Sequence, residues 1–107
     1  MTTSNYQTHF SQMIRIMADE LVMNKKDNSK TIVVNRLTLK YIIEFIAVYQ
    51  SMREVDVSEN MEISARTLSN IKKPTESVYM SMHMSKIDNV VEYVYNLAET
   101  IEQKVEM

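Results

Sequence analysis

The chain has no glycine among its 107 residues and a single proline, Pro74. Without glycine, the glycine-rich loops that cradle phosphates cannot form, and tight glycine hairpins are disfavoured. This absence argues against the nucleotide-dependent enzymes of the common folds. It also favours a mainly helical chain, because glycine costs about 1 kcal/mol relative to alanine in the interior of a helix.

Cysteine is absent too, which rules out a disulfide framework and a thiolate metal site. The two histidines, His9 and His83, are far apart in the sequence and lack the spacing of metal ligands. We therefore expect no metal and no cofactor. We also expect no enzymatic activity, because the chain has no cysteine nucleophile and no recognisable serine–histidine motif. The adjacent acids Asp19 and Glu20 fall on different faces of a helix, whereas an acid–base pair needs a shared cleft.

Long apolar runs are missing as well. No stretch approaches the ~20 residues of a membrane span. The N-terminal residues have neither the basic start nor the apolar centre of a signal peptide. The expected location is therefore the cytoplasm, without membrane attachment. The length suits one domain over residues 1–107 that can bury its own core.

The composition is otherwise that of a globular protein, with 45% hydrophobic and 24% charged residues. Ten residues are methionine. A soft, methionine-rich core is the preferred interpretation, and an adaptable binding surface is the alternative.

Apolar periodicity predicts the elements on either side of the centre of the chain. It indicates an N-terminal helix over 5–24 and a strongly apolar helix over 37–50. The β-branched run 31–35 predicts a strand or an extended lead-in to the next helix. Residues 78–84 alternate apolar and polar, which predicts a strand or, alternatively, a short helix. The expected fold class is mainly α, a compact helical domain in which 31–35 and 78–84 form a small two-stranded sheet or wing.

Residues 54–73 have the pattern of two short helices joined by a tight turn. Ser64 can cap the second helix, and Pro74 would end it. Small Ser58 suits a place where two helices meet at a steep angle. A helix has one apolar face when its apolar residues recur in steps of three or four. The apolar residues of this stretch share one face in each helix, and one more fills the turn: Val57, Met61, Ile63, Leu68 and Ile71.

The segment ENMEISARTLSNI within this stretch resembles the helix-turn-helix of the phage Cro/repressor type. At the turn stands Glu62, where that family usually has glycine because the backbone there tends to adopt a positive φ. Residues 39–50 resemble the helix that precedes the motif in the family. The core and helix-turn-helix are expected to span 37–73. Seven residues match the family pattern: Met61, Ile63, Ser64, Thr67, Leu68, Ser69 and Ile71.

The resemblance implies a recognition helix at 64–73 that enters the major groove of double-stranded DNA. Arg66 would bond a guanine edge and Asn70 an adenine edge. The segment 63–73 has three basic residues and no acid, which suits phosphate contacts although the whole chain has a net charge of −2. A merely solvated helix face is the alternative. The expected DNA-binding residues are Ser64, Arg66, Thr67, Ser69, Asn70, Lys72 and Lys73.

The last predicted helix covers 85–105 and has a heptad-like apolar stripe. The stripe can pack on the domain's own core or pair with the same helix of a second subunit. We favour pairing, since helix-turn-helix proteins usually bind DNA as dimers. The expected dimerisation residues are Ile87, Val90, Val94, Leu97 and Ile101.

The function predicted from this resemblance is a sequence-specific transcriptional regulator, a small phage- or plasmid-type repressor that acts as a homodimer. One alternative is a small helical antagonist or adaptor from a mobile element, which binds a protein partner and no DNA. A further alternative is a plasmid partition or copy-control protein with the same DNA contacts.

Overall fold

The computed structural model describes residues 2–74 and 77–106. It confirms the predicted fold class, because the chain is compact and mainly helical with a small antiparallel sheet of two strands. The elements, in chain order, are α1 (Thr2–Leu21), β1 (Thr31–Asn35), α2 (Arg36–Gln50), α3 (Glu54–Asn60), α4 (Ala65–Lys72), β2 (Tyr79–His83) and α5 (Met84–Glu106).

Helix α1 lies about three residues nearer the N-terminus than predicted. It begins at Thr2 and ends at Leu21, not at residue 24. Leu21 is the last residue of the helix that is buried in the core, whereas Met23 is 77% exposed. Val22 still packs against the core, but residues 23–28 are exposed. No apolar contact therefore holds another helical turn, and the chain leaves the helix there.

Helix α2 lies at the centre of the core, as its sequence predicts. The side chain of Asn35 accepts hydrogen bonds from the backbone N–H groups of Leu37 and Thr38, which fixes the start of the helix. At the other end, Ser51 adopts a left-handed conformation with φ 54°. Four apolar side chains of α2 are almost fully buried: Leu39, Ile42, Ile43 and Ile46.

The two predicted strands pair with each other. They run antiparallel in a register that places Thr31 opposite His83 and Val34 opposite Met80. Ile32, Val34 and Met82 point into the core. Residues on the other face, such as Ser81 and His83, are exposed. The second strand is shorter than predicted, because residue 84 already begins α5.

The apolar stripe of α5 packs against α1 inside the same chain, which corrects the dimerisation prediction. Four of its five residues, Ile87, Val90, Val94 and Ile101, are at most 3% exposed. Leu97 is partly buried against the same core. The N-terminal helix has its own apolar face to cover, and α5 is the long helix that covers it. These side chains are therefore not free to form a subunit interface.

The methionines are mostly at the margin of the core. Of those in the described part of the chain, Met61 and Met82 are buried, and several others are partly buried. Isoleucine is the commonest buried residue instead, as in Ile14, Ile42 and Ile87. The preferred interpretation of a methionine-rich core thus holds only in part.

Candidate nucleic-acid interface

Helices α3 and α4 form a small packed unit, as their apolar spacing predicts. Ser58 is completely buried, and its hydroxyl donates to the carbonyl of Val55 at 2.9 Å. This small side chain lies where a larger one would separate the packed helices. The five apolar residues whose spacing predicted this packing are all buried, from 0% exposed to 8% for Leu68: Val57, Met61, Ile63, Leu68 and Ile71.

The turn between α3 and α4 has the positive φ that the resemblance implies. Glu62 has φ 61° and so occupies the left-handed region without being a glycine. Its carboxylate accepts a hydrogen bond of 2.8 Å from the side-chain amide of Asn89 on α5. The backbone N–H of Ile63 donates to the carbonyl of Ser58 at 2.8 Å. The turn is therefore held both by its own backbone and by a side chain from α5.

Both ends of α4 are fixed. The hydroxyl of Ser64 accepts a hydrogen bond of 3.1 Å from the backbone N–H of Thr67, which is the predicted cap. Lys73 is extended with ψ 126°, as a residue before proline usually is. Arg36, which is buried, donates from Nη1 to the carbonyl of Ile71 at 2.8 Å. This arginine thus bonds a carbonyl in the last turn of α4.

The seven predicted DNA-binding residues separate into an outward face and a supporting set. Arg66, Ser69 and Asn70 are exposed on the side of α4 opposite its buried residues, and Lys73, just beyond the end of the helix, is exposed as well. Within residues 2–74 and 77–106, neither Arg66 nor Lys73 forms an ion pair. The outward face therefore has two cations whose charges are not neutralised by a carboxylate.

The other three predicted residues are engaged within the protein. Ser64 and Thr67 are hydrogen-bonded to each other, with 3.0 Å between their hydroxyl oxygens. Lys72 forms an ion pair with Glu54 of α3, and the hydrogen bond to that carboxylate raises the pKa of the lysine. These bonds hold the first turn of α4 and connect its last turn to α3.

The acids of α3 are partly neutralised, which reduces their repulsion of an anion. Glu54 is paired with Lys72, and Asp56 is paired with Arg53 at 2.9 Å. The hydrogen bond from Arg53 lowers the pKa of Asp56. Glu59 stays exposed near the end of α3.

Two grooves lined by both polar and apolar groups lie beside this unit, and they differ in charge. One, of about 270 Å³, is lined by Asn60, Glu62, Asn89, Glu92, Tyr93 and Asn96. The other, which we call the sheet groove, measures about 360 Å³ and lies between α4, the sheet and the start of α5. It is lined by Thr31, Thr67, Asn70, Met80, Ser81, Met82, His83 and Lys86.

A third groove is apolar and lies between α1 and α2. It measures about 480 Å³, and Phe10 and Tyr49 stack within it at 4.3 Å between ring centroids. Val48 at its rim is 79% exposed and Tyr6 is 61% exposed. We call it the α1–α2 groove; its lining residues are Tyr6, His9, Phe10, Met13, Phe45, Val48 and Tyr49.

Neither a metal site nor a membrane span is found in the part of the chain that the structure describes. Its histidines and acids form no group of three that could hold a metal ion. None of its helices combines the length and apolar character needed to cross a membrane.

Comparison with protein families, with curated proteins and with solved structures finds no match for this chain.

Proposed function

We propose that the protein is a sequence-specific regulator that binds double-stranded DNA through α4. The observation that carries the proposal is the outward face of α4, where Arg66, Ser69 and Asn70 stand on a helix whose opposite side is buried. A helix held in this way can be inserted into the major groove, which is wide enough to admit it. The resemblance to the phage Cro/repressor type supports the same assignment.

Each exposed side chain has a role suited to its chemistry. Arg66 can donate two hydrogen bonds to the O6 and N7 atoms of guanine, and Asn70 can pair with the N6 and N7 atoms of adenine. Ser69 can bond either a base or a phosphate. Lys73, just beyond the helix, suits a backbone phosphate. Lys72 could join it only by exchanging its partner Glu54 for DNA.

We further propose that the protein acts as a homodimer in the cytoplasm. One helix of eight residues offers few base contacts, and helix-turn-helix proteins usually gain affinity by binding two half-sites. The interface must lie outside the α5 stripe, whose side chains are buried. A small phage- or plasmid-type repressor fits this description, and a partition or copy-control protein would use the same contacts.

The second candidate is a protein-binding antagonist or adaptor, which the α1–α2 groove favours. Exposed Val48 and Tyr6 flank an apolar depression there. Buried aromatic anchors commonly supply much of the binding energy at protein interfaces. On this alternative, α4 would be a solvated helix and DNA would not bind.

The test is a mobility-shift titration with the gene's own upstream region and with random duplex DNA, at about 50 and 200 mM salt. The proposal predicts tighter binding to the upstream region and weaker binding of both duplexes at the higher salt. Absence of any shift at low salt would overturn the proposal and favour the protein-binding alternative.

A variant at Arg66 tests whether this side chain contacts the bases. Arg66→Ala should reduce the preference for the upstream region, because a bidentate pair contributes about 1–3 kcal/mol of discrimination. Lys104→Ala is the matched control, since this exposed cation lies in the last turn of α5. Melting curves should show that both variants fold. An Arg66→Ala variant that retains full preference would remove Arg66 from the interface.

A further inference from the structure

The sheet groove brings together side chains from four separate parts of the chain. Thr31 lines it from β1, Thr67 and Asn70 from α4, Ser81 and His83 from the exposed face of β2, and Lys86 from the start of α5. Because Thr67 and Asn70 share this lining with the strands, the groove extends the surface of α4 onto the sheet. A ligand that lies along α4 would therefore meet the sheet as well.

The chemistry of this groove suits an anion. Its lining offers hydroxyl, amide, imidazole and ammonium groups and contains no carboxylate, while Met80 and Met82 supply its apolar part. These polar groups are the types that contact phosphate oxygens in protein–DNA complexes. The neighbouring polar groove has the opposite character, because Glu62 and Glu92 line it.

The position of the groove fits a phosphate backbone that runs beside α4. A helix inserted into the major groove has a phosphate backbone on each side of it, since that groove is about 12 Å wide. Lys72 of α4 meets α3, where it pairs with Glu54. Thr67 and Asn70 lie on a different side of α4 and line the sheet groove together with Lys86.

From these observations we propose that the sheet groove holds the phosphodiester backbone of DNA that flanks the recognition helix. The inference rests on the DNA-binding function proposed above and adds a second contact surface to it. Lys86 supplies the charge, and Ser81 and Thr31 supply hydroxyl groups. Such contacts position the protein on the duplex and carry no sequence information themselves.

A matched pair of lysine variants on one helix tests the proposal. Lys86→Gln removes a cation from the groove, whereas Lys104→Gln removes one from the far end of α5, about 27 Å away along the helix. Lys86→Gln should weaken binding to the upstream region and to random duplex by the same factor. The slope of log affinity against log salt should fall by about one. Lys104→Gln should change neither quantity.

A variant that adds a cation distinguishes a phosphate contact from misfolding, because misfolding can only lower the affinity for DNA. Ser81→Lys adds a cation on the exposed face of β2, beside the groove. It should tighten binding to both duplexes and raise the salt slope by about one. A folding defect cannot produce this result.

The two proposals fail in different ways. If the wild-type protein binds duplex DNA but Lys86→Gln behaves like Lys104→Gln and Ser81→Lys gains no affinity, the sheet groove is not a phosphate site and the function of α4 stands. If the wild-type protein binds neither duplex at low salt, the DNA-binding function fails and the inference fails with it.

Discussion

Glu62 shows how a chain without glycine makes a turn that usually needs one. Three described residues, Asn28, Ser51 and Glu62, have positive φ angles of 64°, 54° and 61°. Asparagine tolerates this region comparatively well, whereas glutamate does so at a cost of roughly 1 kcal/mol. The hydrogen bond from Asn89 to the Glu62 carboxylate offsets part of that cost. Glu62 therefore connects the turn to α5 through a side-chain hydrogen bond, which a glycine could not form.

Two variants at this position separate the backbone strain from the hydrogen bond. Glu62→Ala loses the bond to Asn89 and keeps the strained backbone, while Glu62→Gly loses the bond and relieves the strain. We expect the glycine variant to be more stable than the alanine variant by about 1 kcal/mol. Urea unfolding of the two proteins measures the difference. Equal stabilities, or a less stable glycine variant, would contradict a strained turn at Glu62.

At the scale of elements, α1 and α5 are joined by an ion pair as well as by their apolar faces. Arg15 donates from Nη2 and Nε to the two carboxylate oxygens of Glu102, at 2.7 and 3.0 Å. The guanidinium carbon also lies 5.1 Å from the ring centroid of Tyr95. The hydrogen bond from Arg15 lowers the pKa of Glu102 below its ordinary value of 4.5. Both charged side chains are about one-third exposed, so solvent screens the pair.

This pair predicts a pH-dependent contribution to stability. Because the pKa of Glu102 is lower in the folded protein, the stabilisation is present above the unfolded value and is lost as the pH falls through the folded pKa. Glu102→Gln should lower the free energy of unfolding at pH 7 by about 0.2–1 kcal/mol. That difference from wild type should disappear once the wild-type carboxylate is protonated.

Urea unfolding at neutral and acidic pH measures this effect. Glu92→Gln is the control, since Glu92 is an exposed acid on the same helix and is not in an ion pair with any described residue. A difference between wild type and Glu102→Gln that is independent of pH would show that Glu102 acts by packing rather than by its charge.

Local patterns in the sequence predicted most of the elements. The apolar steps of α2, α3 and α4, the alternation in β2 and the cap at Ser64 are properties of neighbouring residues, and the structure confirms them. The residues on the outward face of α4 were named from the resemblance to the helix-turn-helix, and the structure finds them exposed opposite the buried positions.

Long-range packing accounts for what the sequence did not predict. A heptad-like stripe shows that α5 needs a partner helix but does not distinguish α1 of the same chain from a second subunit. The bond from buried Arg36 to the carbonyl of Ile71 joins residues 35 positions apart, and no periodicity indicates it. The sheet groove, likewise, exists only because the strands flank α4. In the sequence, Arg36 is recognisable only as an arginine directly after a β-branched run. That position does not indicate a bond to α4.

At the scale of the whole molecule, the described surface offers two separate candidate interfaces. The outward face of α4 and the sheet groove share Asn70 and form a continuous polar surface with the cations Arg66 and Lys86. The α1–α2 groove is apolar, and no residue lines both grooves. We propose that the outward face of α4 and the sheet groove bind DNA. The α1–α2 groove would then contact a protein, either a partner or another copy of the chain.

The most direct test of this account is an NMR titration of isotope-labelled protein with duplex DNA from the gene's own upstream region, followed through the backbone amides. The account predicts that the amides of residues 64–73 and 79–86 shift or broaden together as DNA is added. The amides of residues 6–13 and 45–49 surround the α1–α2 groove. They should not change, except at positions where two copies of the protein contact each other on the DNA. Spectra that do not change, or changes confined to the α1–α2 groove, would contradict the assignment of α4 as the DNA-reading helix.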